Sequence, residues 1–202
     1  MSIRAIIWDM EGVILLNTQS SILACIAKRL NIPVEQLSTD FDETFMNRVD
    51  IGEFTQEDAW DHMLDELGLP RSNKAELDKF FYEDFYIDRE LVVDICAYHK
   101  QFKTALLSNY SDALRPMLSG PWRMDGAFDE IIISCEVRMI KPDPAIYRYA
   151  LQQLGTAPQE TIFFDDREVN ITGAQALGIH AFQYTGRAEM NRRIQEVIAL
   201  EE

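Results

Sequence analysis

No run of apolar residues in this chain approaches the ~20 needed to cross a bilayer. The opening Met1–Asp9 stretch ends at an acid before reaching the roughly 7–15 apolar residues of a secretory leader. Neither a membrane partner nor export is expected. Cysteine is scarce: Cys25, Cys96 and Cys135 are odd in number, far apart and set among apolar residues. That excludes a disulfide framework and predicts buried, reduced thiols in a cytoplasmic protein. Basic clusters are missing as well. With 19 Lys and Arg against 34 Asp and Glu, the formal net charge is −15, and no patch could displace the counterions of a nucleic acid. An anionic ligand must therefore be held by local cations rather than drawn in by the global field. His62, His99 and His180 show no metal-ligand spacing, and internal repeats are absent.

What is present is a substantial apolar complement, 47% of 202 residues, with 11 Phe, 7 Tyr and 3 Trp. Short apolar runs recur at Arg4–Trp8, Lys103–Leu107, Glu130–Ile133, Thr161–Phe164 and His180–Tyr184. Runs with little alternation fit strands covered on both faces, and helical patterns separate several of them. The expectation is an α/β fold with a doubly wound parallel sheet. Three runs end in polar residues, at Asp9, at Ser108–Asn109 and at Asp165–Asp166. Ligand sites in such sheets gather at the carboxyl ends of strands.

Leu16–Asp88 reads as wholly helical. Ile22, Ile26 and Leu30 recur at helical spacing, as do Phe41, Phe45 and Val49. Thr55 with Asp58 predicts a capping box opening a helix through Leu67, stopped by Gly68 and Pro70, and Asn73 with Glu76 predicts a second helix carrying Leu77, Phe80 and Phe81. This segment far exceeds a usual crossover of about a dozen or more residues, so it reads as a helical cap inserted after the first strand. The expected division is a core of residues 1–15 and 89–202 with a cap of residues 16–88. Phe41, Trp60, His62 and Tyr82 are its candidate cleft residues. A last helix over Glu189–Leu200 is expected to pack on the sheet.

The chemistry concentrates in four places. In Asp9-Met10-Glu11-Gly12 a carboxylate at a strand end can attack phosphorus, and a second can move a proton to or from the reacting oxygens. Gly12 permits a sharp turn. Ser108 offers a hydroxyl and Asn109 a neighbouring backbone N–H, either for an anion or for an ordinary turn. Lys141 precedes a helix start at Asp143-Pro144, placed either on the surface or to reach inward to a phosphate. Asp165 and Asp166 are expensive to bury together unless a cation offsets them, and magnesium favours such oxygens. Asp166 could instead cap the following helix while Asp165 holds metal.

In this order and spacing the motifs resemble the haloacid dehalogenase superfamily, in particular phosphatases with an α-helical cap after the first strand. The sharpest stretch is FDEIIISCEVRMIKPDPAIYRYAL, Phe128 to Leu151, followed by TIFFDDREVNITGAQALGI. Among relatives the pattern is similar to small sugar-phosphate phosphatases and to the phosphatase domain of bifunctional epoxide hydrolases. The resemblance implies Mg2+ as cofactor and a small phosphorylated metabolite as substrate. It implies Asp9 as nucleophile and metal ligand, with Glu11 as general acid/base and its backbone carbonyl on the metal. Ser108 and Asn109 would bind phosphate, Lys141 would neutralise nucleophile and phosphate, and Asp165 and Asp166 would hold the metal. Two positions depart from the pattern. Glu11 stands where most family phosphatases have Asp, and Arg138 stands where relatives often have Gly, implying either a left-handed residue or an added cation. A non-catalytic phosphate-binding protein, a dehalogenase and a phosphomutase are the alternatives on the same fold.

Overall fold

The computed structural model describes residues 2–19, 21–37 and 43–200. Five strands, β1 (Ala5–Trp8), β4 (Lys103–Ser108), β5 (Glu130–Ile133), β6 (Thr161–Asp165) and β7 (His180–Gln183), form one parallel sheet in the order β5-β4-β1-β6-β7. Alternation along β1 shows how both faces are covered. Ile6 and Trp8 join one buried cluster and Ala5 and Ile7 the other, because successive side chains point to opposite faces. Trp8 meets the last helix, where its indole N–H donates to the Met190 sulfur.

Helices α6 (Arg89–Tyr98), α7 (Leu114–Ser119) and α11 (Arg187–Ala199) contribute to the first cluster. The short α8 (Ser134–Val137) follows β5, and α9 (Pro144–Leu154) and α10 (Glu168–Gln175) contribute to the second cluster. The start of α9 follows its sequence signals: Asp143 Oδ1 accepts from the Ala145 N–H at 2.8 Å, with Pro144 in the first turn. The expected C-terminal helix forms, buried through Met190, Ile194 and Val197.

Between β1 and α6 lies the inserted segment, with α1 (Ile22–Leu30), α2 (Glu43–Asp50), α3 (Gln56–Glu66), α4 (Lys74–Leu77) and α5 (Phe80–Glu83). It is not wholly helical. β2 (Leu15–Asn17) and β3 (Phe85–Ile87) pair antiparallel, Leu15 opposite Ile87, so the insertion leaves and returns on one ribbon. The capping box at Thr55 and Asp58 forms. The helix expected from Asn73 breaks into two short pieces: Asn73 closes a turn begun at Pro70, its N–H donating to the Pro70 carbonyl, and its side chain caps nothing. Phe41 lies outside the described residues.

Cys25 is buried and Cys135 half-buried, but Cys96 is exposed, contrary to the expectation for all three. In α6, Leu91 and Ile95 take the inward positions, and the next residue turns about 100° away. Among the described residues, no helix is long and apolar enough to cross a membrane.

Candidate active site

Because β1, β4 and β6 run parallel in matched register, Trp8 beside Leu106 and Phe164, their carboxyl ends lie at one level. Asp9, Ser108 and Asp165 are thereby brought together across the three central strands. Lys141 reaches in from the loop before α9. Its ammonium lies 2.8 Å from Asp9 Oδ1 and 2.6 Å from Asp165 Oδ2 and is almost entirely buried. The inward reading of Lys141 therefore holds over the surface one.

Asp165 is fully engaged by the protein. Oδ1 accepts from the Arg167 N–H and the Asn170 amide, both at 2.9 Å, while Oδ2 takes Lys141 and a second contact from Asn170 at 3.1 Å. Asp166 does not cap α10, which has no side-chain cap; Asp165 accepts instead from the N–H of Arg167, the residue before the helix. It reaches solvent beside Gly12. A Cβ on Gly12 would stand 2.5 Å from Asp166 Oδ2, and Gly12 has φ +76°. Glycine serves both the left-handed turn and the close approach of a carboxylate.

Asp9, Asp165 and Asp166 present carboxylate oxygens within 4.8 Å of one another. One buried ammonium does not balance three acids so close, and carboxylate oxygens suit a hard divalent cation. An anion also fits: among the described residues, the buried Ser108 hydroxyl has no hydrogen-bond partner, an arrangement that is costly unless a ligand supplies one.

Electrostatics follow from burial. From protein groups alone, desolvation, opposed chiefly by Lys141, pushes the Asp9 carboxyl up to about 7. Burial and repulsion from Asp166 and Asp50 push Glu11 to about 7. Burial also works against the Lys141 ammonium, but Asp9 and Asp165 outweigh it and hold its pKa above the ordinary lysine value. Asp166 is raised by burial and by Asp165.

Asn109 has a side-chain role not apparent from the sequence. Its amide donates to the Lys141 carbonyl at 2.9 Å and accepts the Lys141 N–H at 2.8 Å. This two-point clamp fixes the backbone carrying the ammonium. Asn109→Ala leaves both backbone groups unpaired, so chemical denaturation should show a loss of about 1–3 kcal/mol.

The acids and Lys141 open into a cavity of about 400 Å³ bounded on its far side by the inserted segment. Glu11, Asn109 and Asp166 line it. Of the remaining cleft candidates Trp60 lines it, whereas His62 stacks on Phe45 at 4.1 Å and the exposed Tyr82 faces away. Asp50 and Arg167 line it without having been singled out; Asp50 was one of 34 acids, with no distinguishing neighbour. Arg138 is left-handed, φ +56°, closing α8, and is exposed rather than part of the cavity wall.

The haloacid dehalogenase-like hydrolase family matches residues 3–178. The chain belongs to this family of hydrolases. Rat (Rattus norvegicus) bifunctional epoxide hydrolase 2 is 26% identical over 98% of the chain, which spans only 39% of that protein's length. (S)-2-haloacid dehalogenase 1 of Pseudomonas sp. is 30% identical over 72% of the chain and 65% of its own. A HAD family enzyme of Bacteroides thetaiotaomicron, solved with magnesium and inorganic phosphate, shares the fold at TM-score 0.75 and 24% identity, covering 92% of this chain and 96% of that one.

Proposed function

We propose that the chain is a magnesium-dependent phosphatase that hydrolyses a small phosphate monoester through an aspartyl-phosphate on Asp9, with residues 16–88 acting as a cap domain over the core. The observation that carries this is Lys141 bridging Asp9 and Asp165 while Asp166 stands free beside them. Asp165 has its oxygens occupied, so Asp9 and Asp166 would hold the metal directly, with the Glu11 carbonyl, and Asp165 would orient Lys141. When bound, magnesium supplies positive charge to the transferring phosphoryl group and to the crowded acids.

The chain's own groups do the rest. Lys141 and the Met10 N–H, 2.8 and 2.7 Å away, hold Asp9 by Oδ1 and leave Oδ2 to attack. The new bond joins that oxygen to phosphorus as the ester P–O bond breaks. Glu11, whose carboxyl burial raises to about 7, gives its proton to the departing oxygen when protonated. The resulting carboxylate then takes a proton from the water that attacks the aspartyl-phosphate, releasing inorganic phosphate. Ser108 and the backbone N–H of Asn109 would bind the phosphoryl oxygens, the Tyr110 N–H being taken by the Ser134 hydroxyl.

The family also contains dehalogenases, but a free Asp166 next to Asp9 has no use in a reaction without a metal. Aryl phosphate hydrolysis measured with and without magnesium tests the proposal. Metal-dependent phosphate release supports it, and metal-independent halide release from a 2-haloacid would replace it. Gly12→Ala, with a strained φ costing about 1–2 kcal/mol and a displaced Asp166, should raise the magnesium concentration for half-maximal activity at least tenfold in a metal titration.

A further inference from the structure

The two ends of the cavity differ sharply in character. The metal and phosphate end carries Asp9, Glu11, Lys141 and Asp166, while the wall given by the inserted segment includes Ile22, Leu23, Ile26, Met46, Trp60 and Phe81. Behind that wall the rings are fixed by one another. Phe80 packs edge-on against Trp60, Phe81 and Phe85 with centroids 5.7, 5.2 and 4.8 Å apart. Such a cluster holds its shape and presents carbon to whatever enters.

Several polar side chains of the cavity are already committed. Ser111 donates its hydroxyl to Gln56 Oε1 at 2.7 Å. The Asn109 amide is taken by the Lys141 backbone and the Asn170 amide by Asp165. The cations among the lining residues are Lys141 and Arg167. Lys141 is held by Asp9 and Asp165, and Arg167, exposed beside Asp166, stands at the metal and phosphate end rather than on the apolar wall. Among the lining residues of the inserted segment the side-chain N–H donors are limited to the Trp60 indole and the Gln56 amide, too few for a polyol, and none is a cation for a second anionic group.

We propose that the organic part of the ester is a hydrocarbon, an alkyl or prenyl chain, rather than a sugar, nucleotide or other polyol. This names the substrate class of the phosphatase site above and rests on that reading. A hydrocarbon chain removes its own surface and that of the wall from water, so binding tightens with each methylene until the cavity is filled. Each sugar hydroxyl placed against the same wall loses its water partners, which lowers kcat/KM about tenfold per unpaired group.

The test is a homologous series of n-alkyl phosphates from ethyl to octyl, with hexyl phosphate set against glucose 6-phosphate, which has the same number of carbons. Turnover is followed by phosphate release with magnesium, and binding is followed separately by calorimetry on an Asp9→Asn variant loaded with magnesium. The expected result is an approximately threefold fall in KM and in Kd per added methylene, with hexyl phosphate preferred to glucose 6-phosphate by at least 100-fold in kcat/KM. Leu23→Gln, at a half-buried wall position, should flatten that slope. A slope of unity, or tighter binding of glucose 6-phosphate than of hexyl phosphate, overturns the proposal whether or not the esters turn over. A clear methylene slope in binding without phosphate release from the parent protein supports the apolar ligand class and removes the hydrolase reading instead.

Discussion

Asp9→Asn should reduce phosphate release by on the order of 10³-fold or more while raising the melting temperature. An amide is a poor nucleophile towards phosphorus, and no second carboxylate can take over. Asp165 is tied at both oxygens to Lys141, Asn170 and the Arg167 N–H, while Glu11 and Asp166 would serve as proton donor and metal ligand. The same substitution relieves repulsion. Asp9 is buried, and its desolvation together with repulsion from Asp165 works against the charged form. Neutralising it leaves Lys141 paired with Asp165 alone. A gain of about 1 kcal/mol corresponds to roughly 2–4 °C in a chain of this size, and measuring both quantities on one preparation separates lost chemistry from lost folding. Activity retained in the variant would mean that the reaction does not pass through Asp9.

The second large effect is expected at Glu11. Glu11→Gln keeps the size of the side chain but cannot give up a proton, so kcat should fall about 10²–10⁴-fold, with phosphate affinity little changed. The loss should be greater for an alkyl phosphate than for a nitrophenyl phosphate, because a good leaving group departs with less protonation. Burial and the neighbouring Asp166 and Asp50 raise the Glu11 carboxyl to about 7. The proton donor is the protonated form, so kcat/KM in the parent protein should decline as pH rises through about 7, and this alkaline limb should vanish in Glu11→Gln. If a pH–rate profile keeps the limb in the variant, the ionisation belongs to another group. An unchanged rate would favour a protein that binds phosphate esters without turning them over.

The sheet was legible because its strands are covered on both faces. Each shows up as an uninterrupted apolar run, and the polar residues that end the runs at Asp9, Ser108 and Asp165 mark their carboxyl ends. The ribbon of β2 and β3 was not legible. Each strand has three residues, too few for periodicity to register, and the partners are far apart in the chain. The candidate site was legible as a set of residue types at strand ends, but the division of labour between Asp165 and Asp166 was not. That division depends on which carboxylate meets Lys141, Asn170 and the Arg167 N–H, all of which are tertiary contacts. The Asn109 clamp on Lys141 is of the same kind. Asp50 and Arg167 carry no local sign, since charged residues are common throughout a chain this acidic. At Arg138 the sequence left a left-handed backbone and an added cation both open; the turn after α8 imposes the first, and the exposed side chain lies outside the cavity wall.

The antiparallel pairing of Leu15 with Ile87 has a consequence for ancestry and engineering. In such a pair the two Cα atoms lie about 5 Å apart, so the chain steps out of the sheet layer and back in at almost one point. A tight turn of a few residues could join those positions without disturbing the order of the five parallel strands. The intervening stretch can therefore be exchanged as a cassette: grafting a different one onto the same stalk would alter which ligands are admitted, keep Asp9, Lys141 and Asp165 in place, and remove the repulsion Asp50 exerts on Glu11.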